Sequence, residues 1–187
     1  MNNREEVENL QRDLRGISEK ARDQFGALSL DQLNWKPSVD RWSVAQCFDH
    51  LINTNASYFT IFDSVAAGTL EPTFVQKLPG VPKMWGKLLI KSLDPKTTRK
   101  LKAPKRFEPA SSDLSASIID NFVKNQNRVV DSMERTKNLE VGRIIISSPA
   151  AAMITYSLLD AFRIIAVHEQ RHFQQAQRVT QEPSFPS

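Results

Sequence analysis

The chain has 187 residues, 40% of them hydrophobic, and a formal net charge of +4. That is enough apolar material for one core in a single domain spanning residues 1–187, and the one cysteine, Cys47, excludes an intramolecular disulfide. The first twenty residues are too charged for a secretory signal and no apolar run is long enough to span a bilayer, so a cytoplasmic protein without a membrane partner is expected.

From the N-terminus, Val7, Leu10, Leu14, Ile17, Ala21, Phe25 and Leu28 advance in steps of three and four, predicting a first helix of about 25 residues. Residues 29–42 carry Trp35, Pro37 and a polar stretch that breaks this pattern. Ser43 and Gln46 then form a capping-box signature, with Trp42 and Cys47 placed for a hydrophobic staple, and open a second helix that runs to about Ala67 before Gly68. Trp35 and Trp42 are expected as core residues at helix ends. Residues 68–111 hold Pro72, Pro79, Pro82, Pro95 and Pro104 and read as a long connector with one short amphipathic helix between Lys83 and Ser92.

Residues 77–106 contain ten Lys or Arg against one acid, Asp94. Such a stretch could touch nucleic acid, an anionic membrane surface or an anionic small molecule, but the expected reading is a solvated connector with no nucleic-acid partner, because no basic motif with interleaved aromatics accompanies it. After Ser111, Ser112 and Asp113, a capping cluster, Leu114, Ile118, Phe122, Val129 and Met133 mark a third helix with Asn125 at the centre of its apolar face. Residues 139–154 read as a loop with at most a short strand at Ile144–Ile146, and a fourth helix is predicted from near Thr155 to near Val179. Four amphipathic stripes bury one another in an all-α four-helix bundle.

The three histidines are the candidate chemistry. His168 and His172 are one turn apart and share a face with Leu158, Ala161, Ile164, Ile165, Gln175 and Val179, so the pair faces the interior. His50 falls at the border of the second helix's stripe. His50 lies seven residues past the start of its helix and His172 seven before the presumed end of its own, about 10 Å in each case. The two are level only if these helices run antiparallel, which requires up-down-down-up order and a long crossover between the second and third helices. Residues 68–111 supply that crossover.

His168-Glu169-Gln170-Arg171-His172 also satisfies H-E-x-x-H, the zinc-protease helix in which Glu is the general base. Against a protease stand the fifteen residues that remain after His172, too few for the usual downstream ligand, and the projection of Glu169 about 100° away from His168. Glu169 is carried forward as a candidate general base whose bland alternative is a surface or ligand-supporting residue. Cys47 is a packing residue with a fourth-ligand alternative, and Asn125 and Gln126 either orient a substrate or cross-bond helices.

Pro37, Trp42-Ser43, His50-Leu51 and the run from His168 through His172 to Gln175 together resemble the DinB-like (YfiT-like) superfamily of metalloenzymes, over nearly the whole chain. Lys102-Ala103-Pro104-Lys105-Arg106-Phe107-Glu108-Pro109 looks like one branch of that family. The resemblance implies an up-down-down-up bundle, often a homodimer, with zinc or nickel on three histidines that map onto His50, His168 and His172. It further implies a small-molecule substrate, since characterised relatives include S-transferases using low-molecular-weight thiols such as bacillithiol and a mycothiol-dependent isomerase. The stretch before the fourth helix departs from the family in lacking a clear Gly-rich turn.

Three neutral imidazoles leave coordination open, the arrangement of a catalytic zinc rather than a structural one. The expected function is metal-assisted thiol transfer to a small electrophile, with metal-assisted hydrolysis as the close variant. Lys102, Lys105 and Arg106, near the pocket mouth in this topology, are expected to hold the carboxylates of an anionic thiol. The alternative is a non-catalytic binding or stress-response module whose metal is structural or absent.

Overall fold

The computed structural model describes residues 2–77, 81–95, 104–110 and 113–187. Among the described residues are six α-helices and one hairpin: α1 (Asn3–Phe25), α2 (Leu30–Asn34), α3 (Val44–Ala66), α4 (Val81–Leu93), α5 (Ile118–Thr136), β1 (Ile145–Ser148), β2 (Ala151–Ser157) and α6 (Leu158–Thr180).

The four long helices are those the apolar stripes predict. In α1 the buried positions Val7, Gln11, Leu14, Ser18, Ala21 and Phe25 keep the three-four spacing, and Asn2 caps the helix by accepting from Glu5 N. In α3 both halves of the Ser43–Gln46 capping box form, and the chain leaves the helix through Gly68 at φ +70°, a left-handed conformation that glycine adopts without a Cβ penalty.

Side-chain pairs give each helix its direction. Gln11 Nε2 donates to Val130 O and Gln126 Nε2 to Leu14 O, both at 3.1 Å, so α1 and α5 are antiparallel. Phe48 packs on Phe122 and Asp63 pairs with Arg135, so α3 and α5 are parallel. Phe62 meets Phe162 near one end and His50 meets His168 near the other, so α3 and α6 are antiparallel, whereas Glu6–Arg163 and Phe25–Phe173 set α1 and α6 parallel. The bundle is up-down-down-up, and the crossover from α3 to α5 is what permits two consecutive long helices to run the same way.

The crossover is more than a connector. Its helix α4 packs on β2 and α6. Gly86 permits the close approach, because a Cβ there would stand 2.6 Å from Asp160 Oδ2 at the start of α6.

Three boundaries differ from the sequence expectation. Residues 29–42 contain a one-turn helix, α2, closed by a Ser29–Gln32 capping box; five residues are too few to show a period. The third long helix begins at Ile118, not Leu114, because Asn34 Oδ1 accepts from Leu114 N at 2.9 Å while Asn34 Nδ2 donates to Leu114 O at 2.8 Å, holding that backbone out of a helix. Of the expected capping cluster, Ser111 and Ser112 lie outside the described residues, and Asp113 stands at φ 59° outside the helix. Residues 145–157 form an antiparallel hairpin, with Ile146 opposite Tyr156, and α6 starts at Leu158 behind the N-cap Ser157. The hairpin is held by β-branched residues and by Tyr156, whose buried hydroxyl meets that of Tyr58 at 2.7 Å.

The apolar core is in two parts. One gathers Val7, Leu14, Phe62, Met133, Tyr156 and Phe162; the other gathers Phe25, Leu33, Phe48, Leu51, Phe122 and Phe173. Between them along the chain, each long helix places a buried polar residue: Ser18, Asn55, Gln126 and Glu169.

Candidate metal centre

The cluster begins with the N-terminus of α3. The capping box fixes where the helix starts, and His50 follows two turns later, turned inward. Across from it α6 presents His168 and His172 from one face. All three are buried, with exposures of 3%, 8% and 8%. Their ring centroids are 4.6–5.0 Å apart and their planes meet at 64–78°, so the rings stand like blades about a common point. One nitrogen from each lies within 4.8 Å of the others. His50 Nε2 and His168 Nε2 are 3.1 Å apart, close to the roughly 3.3 Å separating two nitrogens on a tetrahedral ion with bonds of about 2.0–2.1 Å.

The proton on His50 is placed by its surroundings. Phe107 O lies 2.6 Å from His50 Nδ1 and is able only to accept, so Nδ1–H donates and Nε2 keeps its lone pair toward the cluster. That carbonyl belongs to the one-turn 3-10 helix Lys105–Phe107, at the end of the crossover. The strap is pinned to the same turn of α3 at two further points: Gln46 Nε2 donates to Ala110 O and Ala110 N donates to Asp49 Oδ2, each at 2.9 Å. Phe107 itself is buried, and the guanidinium of Arg106 lies 4.7 Å from its ring centroid.

Burial keeps all three imidazoles neutral. It lowers His50 below its ordinary value, against the pull of the Phe107 carbonyl and the Asp49 charge. It takes His168 down to about 3, helped by His50 and Arg171, and takes His172 well below its ordinary value, helped by His168, His50 and Arg171. Neutral imidazole is the form that ligates metal. His172 Nδ1 is buried without a hydrogen-bond partner among the described residues, which burial penalises unless something supplies the missing interaction. The donor set and its spacing fit a borderline-soft divalent ion.

Trp42 is a part of the site that sequence reasoning assigned to the core in preference to a cofactor box. Its ring lies 5.5 Å from His172 with the planes at 23°, and 4.9 Å from His50. The signal available was its position just before the Ser43 cap, where a side chain folds back over the first turns of the helix.

Glu169 is fully buried rather than at the surface. Its Oε1 accepts from Asn55 Nδ2 at 2.8 Å and its Oε2 from Gln126 Nε2, which also donates to Leu14 O. Burial raises its carboxyl to about 8 despite those two bonds. Gln126 therefore cross-bonds helices, as does Asn125, whose Nδ2 donates to Ile52 O at 3.3 Å; the buried one at the centre of α5 is Gln126, one place on from Asn125. Cys47 is buried in the core, its thiol pushed up to about 12 by burial, and it is not one of the clustered ligands. Lys105 and Arg106 are exposed on the strap next to Phe107; Lys102 lies outside the described residues.

A family model described as the DinB superfamily matches residues 14–176, which includes all three histidines and most of the chain. The chain belongs to the DinB superfamily. No curated protein and no solved structure gives a significant match. The superfamily assignment and the buried His50–His168–His172 cluster agree on a metal-compatible site within a helical bundle.

Proposed function

We propose that this member of the DinB superfamily holds one zinc or nickel ion on His50, His168 and His172 and transfers a low-molecular-weight thiol to a small electrophile. The observation that carries this is the convergence of three neutral imidazoles on one point, with no carboxylate or thiol joining them among the described residues. A bound ion of this kind acts as a Lewis acid that lowers the pKa of a thiol, or of water in the hydrolytic variant, toward neutrality.

The chain's own residues do the rest. His50 is held with its lone pair inward by Phe107 O, and Trp42 covers His50 and His172 from one side and excludes water there. Lys105 and Arg106, beside the carbonyl that orients His50, recruit a carboxylate-bearing thiol. Glu169, with both oxygens engaged by Asn55 and Gln126, acts as a positioning residue for α6 rather than as a proton acceptor. In the transfer, the thiol proton leaves to solvent and sulfur bonds to the electrophilic carbon, whose leaving group departs with its electron pair.

Elemental analysis of the purified full chain followed by a thiol-consumption screen tests the proposal. The expected result is about one zinc or nickel per chain and thiol consumption that His168→Ala abolishes. Metal that stabilises the fold but supports neither thiol consumption nor hydrolysis would make the protein a non-catalytic module and overturn the enzymatic reading. If Lys105→Ala and Arg106→Ala leave the affinity for anionic thiols unchanged, the recruiting role is wrong.

A further inference from the structure

Within the basic stretch at residues 77–106, Lys105 and Arg106 have been assigned a role beside the metal centre and the described lysines of α4 have not. Within it, α4 is attached to the bundle by one face: Pro82 and Gly86 are buried and Leu89, Ile90 and Leu93 half-buried, against β2 and α6. Its exposed positions are Lys83, Met84, Lys87, Leu88 and Lys91. At about 100° per residue these fall in one arc of roughly 140°, the lysines along one side and Met84 and Leu88 along the other. The outer surface of α4 is therefore split lengthwise into a cationic strip and an apolar strip.

The apolar strip is open. Met84 and Leu88 are 56% and 53% exposed, and Met153, on the strand that α4 packs against, is 71% exposed. Phe74, just before the 3-10 turn Val75–Lys77 that packs on the same strand, is 78% exposed. Single exposed apolar side chains are ordinary, but four on one helix and its neighbouring segments, beside Lys83 and Lys87, suit a partner that meets both kinds of group.

We infer that the outer face of α4 docks on a bilayer surface rich in anionic phospholipid, with Lys83 and Lys87 at the headgroup phosphates and Met84 and Leu88 at the acyl boundary. Charge complementarity selects this occupant. A second copy meeting this face about a two-fold axis would set the lysines against their own counterparts or, with the axis along the helix, against the apolar strip. A nucleic acid would take the lysines and leave Met84 and Leu88 in water. An anionic interface offers phosphates and hydrocarbon a few ångströms apart in depth, which matches a helix lying in its plane with lysine stems reaching up to the headgroups. No helix among the described residues is long and apolar enough to cross a membrane, so the contact is peripheral. The sequence expectation of no membrane partner rested on the lack of a spanning segment, which surface docking does not need, and on reading the basic stretch as a solvated connector in preference to a contact for an anionic membrane surface.

Co-sedimentation of the full chain with vesicles tests this, comparing phosphatidylcholine alone with phosphatidylcholine mixed with phosphatidylglycerol. The chain should bind the mixed vesicles, bind less as salt rises, and ignore the neutral ones. Lys83→Glu with Lys87→Glu should weaken binding more than about a hundredfold, and Met84→Ser with Leu88→Ser about tenfold, with unchanged melting temperatures because these side chains are exposed. Failure to bind, equal binding to neutral vesicles, binding undiminished in the Met84/Leu88 variant, or tighter binding to a DNA duplex would each overturn the assignment. So would a dimer in solution that the Met84/Leu88 variant dissolves.

Discussion

His168 and Glu169 are neighbours on α6, both buried, and their surroundings treat them in opposite ways. Around Glu169, Asn55 and Gln126 turn N–H donors toward the carboxyl group, and Gln126 ties the group on to Leu14 of α1, so one polar layer touches all four long helices. Around His168 stand two more imidazoles, and among the described residues no carboxylate or thiol joins them. A buried polar group that folding satisfies internally is part of the scaffold. A buried set of lone pairs left facing one another is a request for a ligand.

The largest effect that tests this contrast is His168→Ala. It removes one of three donors, so metal content should fall from about one per chain to background while the helical circular dichroism remains. Glu169→Ala should do the reverse. Stripping the acceptor from Asn55 and Gln126 leaves two buried donors unpaired and costs about 3 kcal/mol in denaturant unfolding, with metal stoichiometry retained in the folded fraction. Glu169→Gln should cost less than half as much, because Asn55 Oδ1 and Gln126 Oε1 are buried without partners among the described residues and an amide flip turns one toward the new N–H. Loss of metal in Glu169→Gln at undiminished stability would break the contrast.

A smaller effect separates the strap from both layers. Asp49 accepts from Ala110 N and thereby helps hold the Phe107 carbonyl against His50. Asp49→Ala should lower metal affinity about tenfold in a chelator competition, the size expected when the partner orienting a ligand is loosened rather than the ligand removed. Unchanged affinity would mean that Phe107 O holds His50 without help from Ala110.

The histidine layer was legible in the sequence because it needs only local facts: a capping box that dates the start of α3, a spacing of four on α6, and heights that match under one topology. The Glu169 layer was not. An angle of 100° from His168 suggested the edge of the core face, yet the stripe on α6 is broad, and Glu169 reaches both Asn55 on α3 and Gln126 on the diagonal α5, which places it toward the bundle axis. Helical periodicity locates an apolar face well and its centre less well, and Asn125 was preferred over Gln126 on α5 for the same reason. The late start of α5 and the hairpin depended on Asn34–Leu114 and Tyr58–Tyr156, contacts 80 and 98 residues apart that no local pattern announces. Trp42 was legible as a helix-end residue but not as a cover on the histidines, since that contact joins it to α6.

The smallest expected effect concerns Cys47, three residues before His50 and a soft donor by chemistry. If proximity in sequence made a ligand, Cys47→Ala would release metal; burial in the apolar cluster beside Phe48 and Leu51 argues that it will not. The substitution should leave metal content intact and cost about 1 kcal/mol, the size of a small buried group lost from tight packing. The thiol itself supplies a second reading. Its folded pKa of about 12 lies above the unfolded value of 9, so the native state keeps the proton longer, and this contribution to stability is present below pH 9 and lost as pH rises through 12. At pH 8 the native chain should therefore resist alkylation while the unfolded chain reacts, a difference approaching a thousandfold in thiolate population. A native thiol that alkylates readily at pH 8, and more slowly once zinc is added, would place Cys47 on the metal after all and give the site a fourth protein ligand.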